Sequence, residues 1–299
     1  MFKTTRTIGF AFLLVTAFAG AQAEADPIKS AEADALAELR SKAAAGDPQA
    51  MHDLADDLDE GYSGKVDQPE ALKWFEKAAA KGHIDSAARA GYMYDLAEGT
   101  EENNVRAAQL YLQAAKGGDD VSQYNLGLMY ENGEGIKEDV ERARFWYEKS
   151  AAQDYSSAIY SLALLYDNGT GVKEDNLKAI QLYTKASGMD NASASYNLGI
   201  MYDNGEGVPE DDSKAIDFYT AAARLGHADA SFNLGVTYRD GDGVKAQPAR
   251  SYYWFTLAEI LESENADTER NKMARKLSAE EKRKMDAQVE EFQERYLGG

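Results

Sequence analysis

The chain carries three imidazoles, His52, His83 and His227, and no cysteine. Acyl transfer needs a nucleophile held beside a base. The absence of cysteine excludes a thiolate nucleophile, a thiolate metal site, a disulfide framework and an acylated cysteine. His83 and His227 each follow a glycine, Gly82 and Gly226, at equivalent places in a repeated unit, which suits a structural role. Asp203-Asn204-Gly205-Glu206-Gly207 and Asp240-Gly241-Asp242-Gly243 look superficially like calcium loops. A calcium-binding helix–loop–helix places oxygen-bearing side chains at positions 1, 3 and 5 and a bidentate Glu at 12. Counted from Asp203, positions 3 and 5 are glycine, so neither metal nor cofactor is expected, and no catalytic residue is assigned.

The residues that could bind are aromatic and amide. Tyr124, Tyr160, Tyr196 and Phe232 recur at even spacing, each followed by a polar residue: Asn125, Ser161, Asn197 and Asn233. Aromatic surface with adjacent amides suits the capture of a protein partner's apolar side chains and backbone. Acidic residues gather nearby, among them Glu131, Glu134, Glu138, Asp139, Asp167, Asp203 and Glu206. With 32 Lys and Arg against 52 Asp and Glu, the formal net charge is −20, which repels nucleic acid and steers toward a basic partner.

These residues share one period. At a shift of 36 the columns persist without a gap: Ala50, Ser86, Ser122, Ala158, Ala194, Ala230; then Ala55, Gly91, Gly127, Ala163, Gly199, Gly235. Aromatics recur at Tyr94, Tyr130, Tyr166, Tyr202, Tyr238 and at Phe75, Tyr111, Tyr147, Tyr183, Tyr219, Phe255. Ser122, Leu126 and Tyr130 lie on one helix face. Gly133 can end that helix in the left-handed conformation. Asp139 then suits a second N-cap, as do Asp67, Asn103, Asp175 and Asp211. The second helix carries Ala143, Phe145, Trp146, Ser150 and Ala151 on an apolar stripe. The predicted fold is therefore all-α, a solenoid of helix–loop–helix repeats with a 36-residue period.

The pattern Leu126-Gly127 to Tyr130, Asn132-Gly133-Glu134-Gly135-Ile136, Asp139, Ala143, Trp146-Tyr147 and Ser150-Ala151 resembles the Sel-one-like repeat, a relative of the tetratricopeptide repeat. Two loops depart from its glycine pair, at Tyr62-Ser63-Gly64 and Leu96-Ala97-Glu98-Gly99. The resemblance implies a tetratricopeptide-like superhelix whose first helices line the concave face. It also implies adaptor or regulator roles, such as periplasmic inhibitors of sensor kinases or secreted proteins that engage host factors. Some cysteine-rich members bind or cleave β-lactams, but the Ser-x-x-Lys pair that such chemistry uses is absent after residue 23.

The organisation read from the columns is a signal peptide over 1–23, a capping helix within 24–46, six repeats over 47–264 and capping helices over 265–299. Lys3 and Arg6 precede the uncharged run Ile8 to Gly20, and Ala21-Gln22-Ala23 fits a signal-peptidase site. That run is shorter than the roughly 20 residues a bilayer span needs. No later apolar run lacks an interrupting charge, so no membrane span is expected after cleavage. Together these features predict a non-enzymatic, periplasmic or secreted scaffold that binds a protein. Mass-spectrometric sequencing of protein from the envelope fraction is expected to find Glu24 at the mature N-terminus; an intact Met1 in the cytosol would overturn the export reading.

Overall fold

The computed structural model describes residues 27–298, so the leader and its cleavage site lie outside the described residues. Among the described residues there are fifteen α-helices and no strand. The first helices of successive repeats are α2 (Pro48–Glu60), α4 (Ile84–Asp95), α6 (Asp120–Asn132), α8 (Ser156–Asn168), α10 (Ala192–Asn204) and α12 (Ala228–Asp240). The second helices are α3 (Gln68–Ala80), α5 (Asn104–Lys116), α7 (Val140–Ala151), α9 (Asn176–Ser187), α11 (Asp212–Arg224) and α13 (Pro248–Ile260). Each first helix packs on its own second helix, and each second helix on the next first helix, which is solenoid connectivity.

Capping chemistry sets where most of the repeat helices start; α8 and α13 begin without a side-chain cap. Asp67, Asn103, Asp139, Asp175 and Asp211 accept the third-position backbone N–H of α3, α5, α7, α9 and α11. Asp47, His83, Asp119, Asn191 and His227 do the same for first helices. The glycine–histidine junctions are thus helix caps: His83 Nδ1 accepts from the Ser86 N–H at 3.2 Å, and His227 Nδ1 from the Ala230 N–H at 3.3 Å. Only a neutral ring can accept there, and burial holds both imidazoles below the ordinary histidine value.

The loop after each first helix holds two positive-φ residues, the first of which ends the helix in most repeats. Gly133, Gly169, Gly205 and Gly241 have φ between 66° and 90°. In the repeats that follow the glycine-pair pattern most closely, the next N–H returns to the helix, as in Glu134 N–H to the Met129 carbonyl at 3.1 Å. In the second repeat Ala97 takes that place with φ 58°, and Glu98 N–H makes the same bond to Met93 at 2.9 Å. The departing loop keeps the shape of its neighbours and carries the strain of an alanine in that conformation.

The core is built from the small and aromatic columns. Ala78, Ala114, Ser150, Ala186, Ala222 and Ala258 are fully buried, as are Phe75, Tyr147, Tyr183 and Phe255, with Tyr111 and Tyr219 nearly so. Phe145, predicted on the apolar stripe of α7, is instead 48% exposed. The buried face runs through Ala143, Tyr147, Ser150 and Ala151, and position 145 falls about 200° around the helix from 143 at 3.6 residues per turn. At the N-terminal end α1 (Pro27–Ala44) lays Leu36, Leu39 and Ala43 against Met51 and Leu54. At the other end lie α14 (Ala266–Ala274) and α15 (Ala279–Phe292), the latter opened by a Ser278–Glu281 capping box. Val289, Phe292 and Leu297 cover Trp254 and Leu257.

Two substitutions separate these effects. Ala97→Gly is expected to raise stability by about 1 kcal/mol, because a left-handed alanine is strained by more than the chain entropy it saves. Gly127→Leu is expected to cost roughly 1–3 kcal/mol or more by overpacking. Denaturant midpoints at unchanged m-value check both.

Candidate functional site

Each first helix presents one half-buried stripe, because residues three or four apart share a face. On α6 it is Val121, Tyr124, Asn125, Leu128 and Glu131; the residues between, such as Leu126, Gly127 and Met129, are buried. The 36-residue period lines these stripes up across the repeats. An aromatic row holds Tyr124, Tyr160, Tyr196 and Phe232, and an apolar row holds Leu128, Leu164, Ile200 and Val236. An acidic row holds Asp95, Glu131, Asp167 and Asp203.

The aromatic row is tied to the core. Tyr124, Tyr160, Tyr196 and Phe232 have ring centroids 5.8, 5.8, 5.9 and 5.2 Å from those of Tyr147, Tyr183, Tyr219 and Phe255. Tyr124 also meets Tyr155, at the N-cap of α8, at 5.3 Å, and Tyr196 stacks on His227, at the N-cap of α12, at 4.3 Å. His52 holds the corresponding place in α2, 5.6 Å from Phe75.

The amides do not simply face solvent. Asn125, Asn197 and Asn233 are half-buried and Ser161 is 8% exposed. Asn197 Nδ2 donates to the Tyr183 hydroxyl at 3.0 Å. That hydroxyl donates to Asp167 Oδ2 at 3.0 Å. The arrangement repeats. Tyr111 donates to Asp95 at 3.2 Å, Tyr147 to Glu131 at 2.5 Å and Tyr219 to Asp203 at 3.1 Å. Asn125, Ser161 and Asn233 hydrogen-bond to Tyr111, Tyr147 and Tyr219 in turn. Each unit is therefore an acid, a tyrosine 16 residues later and an amide or hydroxyl 30 residues later. Burial and the neighbouring carboxylate push all four phenols far above their ordinary value, so they stay protonated donors.

The two end units lack the phenol, and ion pairs take over. Where Phe75 replaces tyrosine, the acid Asp59 is 6% exposed and pairs with Arg89, which stands in the amide place and also meets Glu98 at 3.0 Å. Where Phe255 replaces tyrosine, the acid place holds Arg239, and the amide place holds Glu269 at 2.9 Å. Both pairs keep the spacing of 30 residues. The reasoning from sequence missed this network: the columns were visible, but not the hydrogen bonds linking one repeat to the next.

The four internal acids form an uncompensated row. Among the described residues no lysine or arginine lies within ion-pair distance of any of them. Burial raises Asp95, Asp167 and Asp203 above the ordinary carboxylate value, while the tyrosine hydrogen bonds pull the other way. Other carboxylates add to the same side: Glu134 and Glu102 near Asp95, Glu206 and Glu174 near Asp167, Asp212 and Asp242 near Asp203. Among the described residues no three histidine, aspartate or glutamate side chains converge as a metal site, and no helix is long and apolar enough to cross a membrane. What the surface offers chemically is contact area, hydrogen-bonding amides and negative charge.

The Sel1 repeat pattern matches six times, at residues 48–83, 84–119, 120–155, 156–191, 192–227 and 228–259. The chain belongs to the Sel1 repeat family. A Sel1 repeat protein from Oxalobacter formigenes is 30% identical, with a TM-score of 0.67 over 79% of this chain and 99% of that one. A protective antigen present in uropathogenic Escherichia coli strains, which displays an SLR fold, is 25% identical, with a TM-score of 0.63 over 89% of this chain and 72% of that one. Among curated proteins none matches.

The end unit can be tested by exchange. Arg89→Met strands the buried Asp59 and is expected to cost about 3 kcal/mol. Combining Phe75→Tyr with Arg89→Asn rebuilds the internal type of unit and is expected to recover most of that loss. Urea unfolding of the wild type and these two variants gives the comparison, and a double variant no better than Arg89→Met would show that the units are not interchangeable.

Proposed function

For this member of the Sel1 repeat family we propose a non-enzymatic scaffold that works in the periplasm and holds a protein partner on the face of its first helices. Family membership supports the general role, since Sel1 repeat proteins are generally protein–protein interaction scaffolds. The observation that carries the choice of face is the half-buried stripe repeated on consecutive first helices, where Leu128, Leu164, Ile200 and Val236 stay partly open beside amides and acids. Partly exposed apolar side chains rimmed by polar groups are the composition of a partner-binding surface. The leader read from residues 1–23 supports export. A second reading, a secreted protein that meets a host, draws on the similarity to the uropathogenic protective antigen. Recovery of the mature chain from the medium rather than the periplasm would favour that second reading.

Affinity capture from periplasmic extract tests the face. Leu128→Gln with Leu164→Gln is expected to lose the captured partner at least tenfold while still melting cooperatively. Phe145→Ser, on the exposed side of a second helix, is expected to retain it. The opposite pattern would move the binding surface to the second helices.

A further inference from the structure

Two histidines and a serine tie α2 to the start of α4, across the boundary between the first two repeats. His52 lies on α2 and His83 is the N-cap of α4; their rings stack at 4.6 Å with 27° between the planes. Ser86 is fully buried, and its hydroxyl oxygen lies 3.0 Å from His52 Nδ1 and 3.0 Å from His83 Nδ1. His83 Nδ1 also accepts the Ser86 N–H at 3.2 Å, and His83 Nε2 lies 3.3 Å from Gln49 Oε1 on α2.

The partners assign the protons. With Gln49 Oε1 as acceptor, His83 carries its proton on Nε2 and keeps Nδ1 as the acceptor that the cap requires. The single Ser86 hydroxyl proton then turns to His83 Nδ1, and the serine oxygen accepts from His52 Nδ1–H. Both rings are neutral in this arrangement. An added proton has two destinations with different consequences. Nε2 of His52 takes part in none of these bonds, so a proton there leaves the cluster intact. On His83 the proton must go to Nδ1, where it faces the Ser86 N–H and removes the cap of α4. It would also set two cations 4.6 Å apart once His52 is charged.

The charges around His83 come from three helices. His52 and Asp53 face it from α2, Asp85 from α4 itself, and Lys81 closes α3 two residues earlier, while Asp56 faces His52. Burial, with His52 adding to it, holds the His83 imidazole below the ordinary histidine value, against the pull of Asp53 and Asp85. A histidine lowered in the folded state costs nothing above its unfolded value, near 6.5. Stability is then lost as pH falls below that value toward the folded one. Other junctions are built differently. Asp119 caps α6 through a carboxylate and Asn191 caps α10 through an amide oxygen, which does not titrate. His227 caps α12 but stacks on Tyr196, so no second imidazole stands beside it.

We propose that the His52–Ser86–His83 cluster is an acid-operated joint: protonation of His83 releases the first turn of α4 and its tie to α2, while the inner repeats keep their order. In a solenoid each repeat contacts mainly its neighbours, so such an opening stays local.

Hydrogen exchange followed by NMR tests this, expressed as protection factors so that the intrinsic pH dependence of exchange drops out. Between pH 7 and pH 5 the Ser86 amide is expected to lose protection about fivefold or more. The Ser122 and Ala194 amides, held by Asp119 and Asn191, are expected to change by less than about twofold. The titration of the His83 ring, read from its Cε1–H shift, is expected to coincide with the loss at Ser86. His83→Asn supplies an amide oxygen to the cap, as Asn191 does in α10, and is expected to make Ser86 protection equal at both pH values. Equal loss at Ser86, Ser122 and Ala194 would overturn the proposal in favour of general acid destabilisation. Constant Ser86 protection in the wild type, or a loss that persists in the asparagine variant, would show that the histidine cap is not the trigger. The comparison among the three wild-type amides stands even if the variant folds poorly, and it needs no partner, so it is independent of the scaffold reading.

Discussion

The structure depends on one contact repeated along the solenoid: a ring from the second helix lies on the bare backbone of the first. A Cβ on Gly127 would sit 2.5 Å from the Tyr147 ring, and one on Gly235 would sit 2.6 Å from Phe255. A glycine in mid-helix costs about 1 kcal/mol against alanine. Fully burying a large apolar ring returns roughly 2–3 kcal/mol, so the exchange favours the fold. In the fourth repeat Ala163 occupies the same column and is fully buried. The column therefore accepts a methyl in that repeat.

A tyrosine in that position brings a second requirement. Its hydroxyl is carried into the packed interior and must find a partner there, because an unpaired buried hydroxyl costs about 1–3 kcal/mol. The acid lies four residues after the small residue on the same first helix, as Glu131 follows Gly127, within reach of the ring that covers the gap. The amide comes from the following repeat, so the network links three consecutive helices. Where the ring is phenylalanine the hydroxyl is gone, and the acid place must be satisfied by a full charge instead. Asp59–Arg89 and Arg239–Glu269 are that solution with opposite polarity. A solenoid is held by nearest-neighbour interfaces. The end units exchange a tyrosine–carboxylate hydrogen bond for an ion pair.

Much of this was legible in the sequence. Column periodicity gave the helices, the N-caps and the left-handed glycines, because each depends on residues close together in the chain. Two readings failed for different reasons. Phe145 was placed on the buried stripe by its hydrophobicity, but the buried face runs through Ala143 and Tyr147 and leaves it outside. Asn125, Asn197 and Asn233 looked like free groove amides because polar residues are usually outside. Their tyrosine partners lie 14 residues earlier, on the second helix of the preceding repeat. A contact between repeats leaves no mark on the spacing within one repeat. Ala97 shows the converse: the loop deviates in sequence yet keeps its backbone, because the surrounding helices fix the chain path.

The acidic row adds an electrostatic feature to the same interior. For a carboxyl whose folded pKa is raised, the contribution to stability is full below its unfolded value and is lost as pH rises through the folded value. Asp95, Asp167 and Asp203 are raised in this way by burial, with neighbouring carboxylates adding to it. Ionising these three carboxyls therefore costs stability, in a chain of net charge −20. The tyrosine hydroxyls offset part of that expense and fix each carboxylate in one orientation. Stability given up at a surface to favour a ligand is common at functional sites. The uncompensated carboxylates are confined to the internal units, and both end units neutralise their charge with an arginine–carboxylate pair.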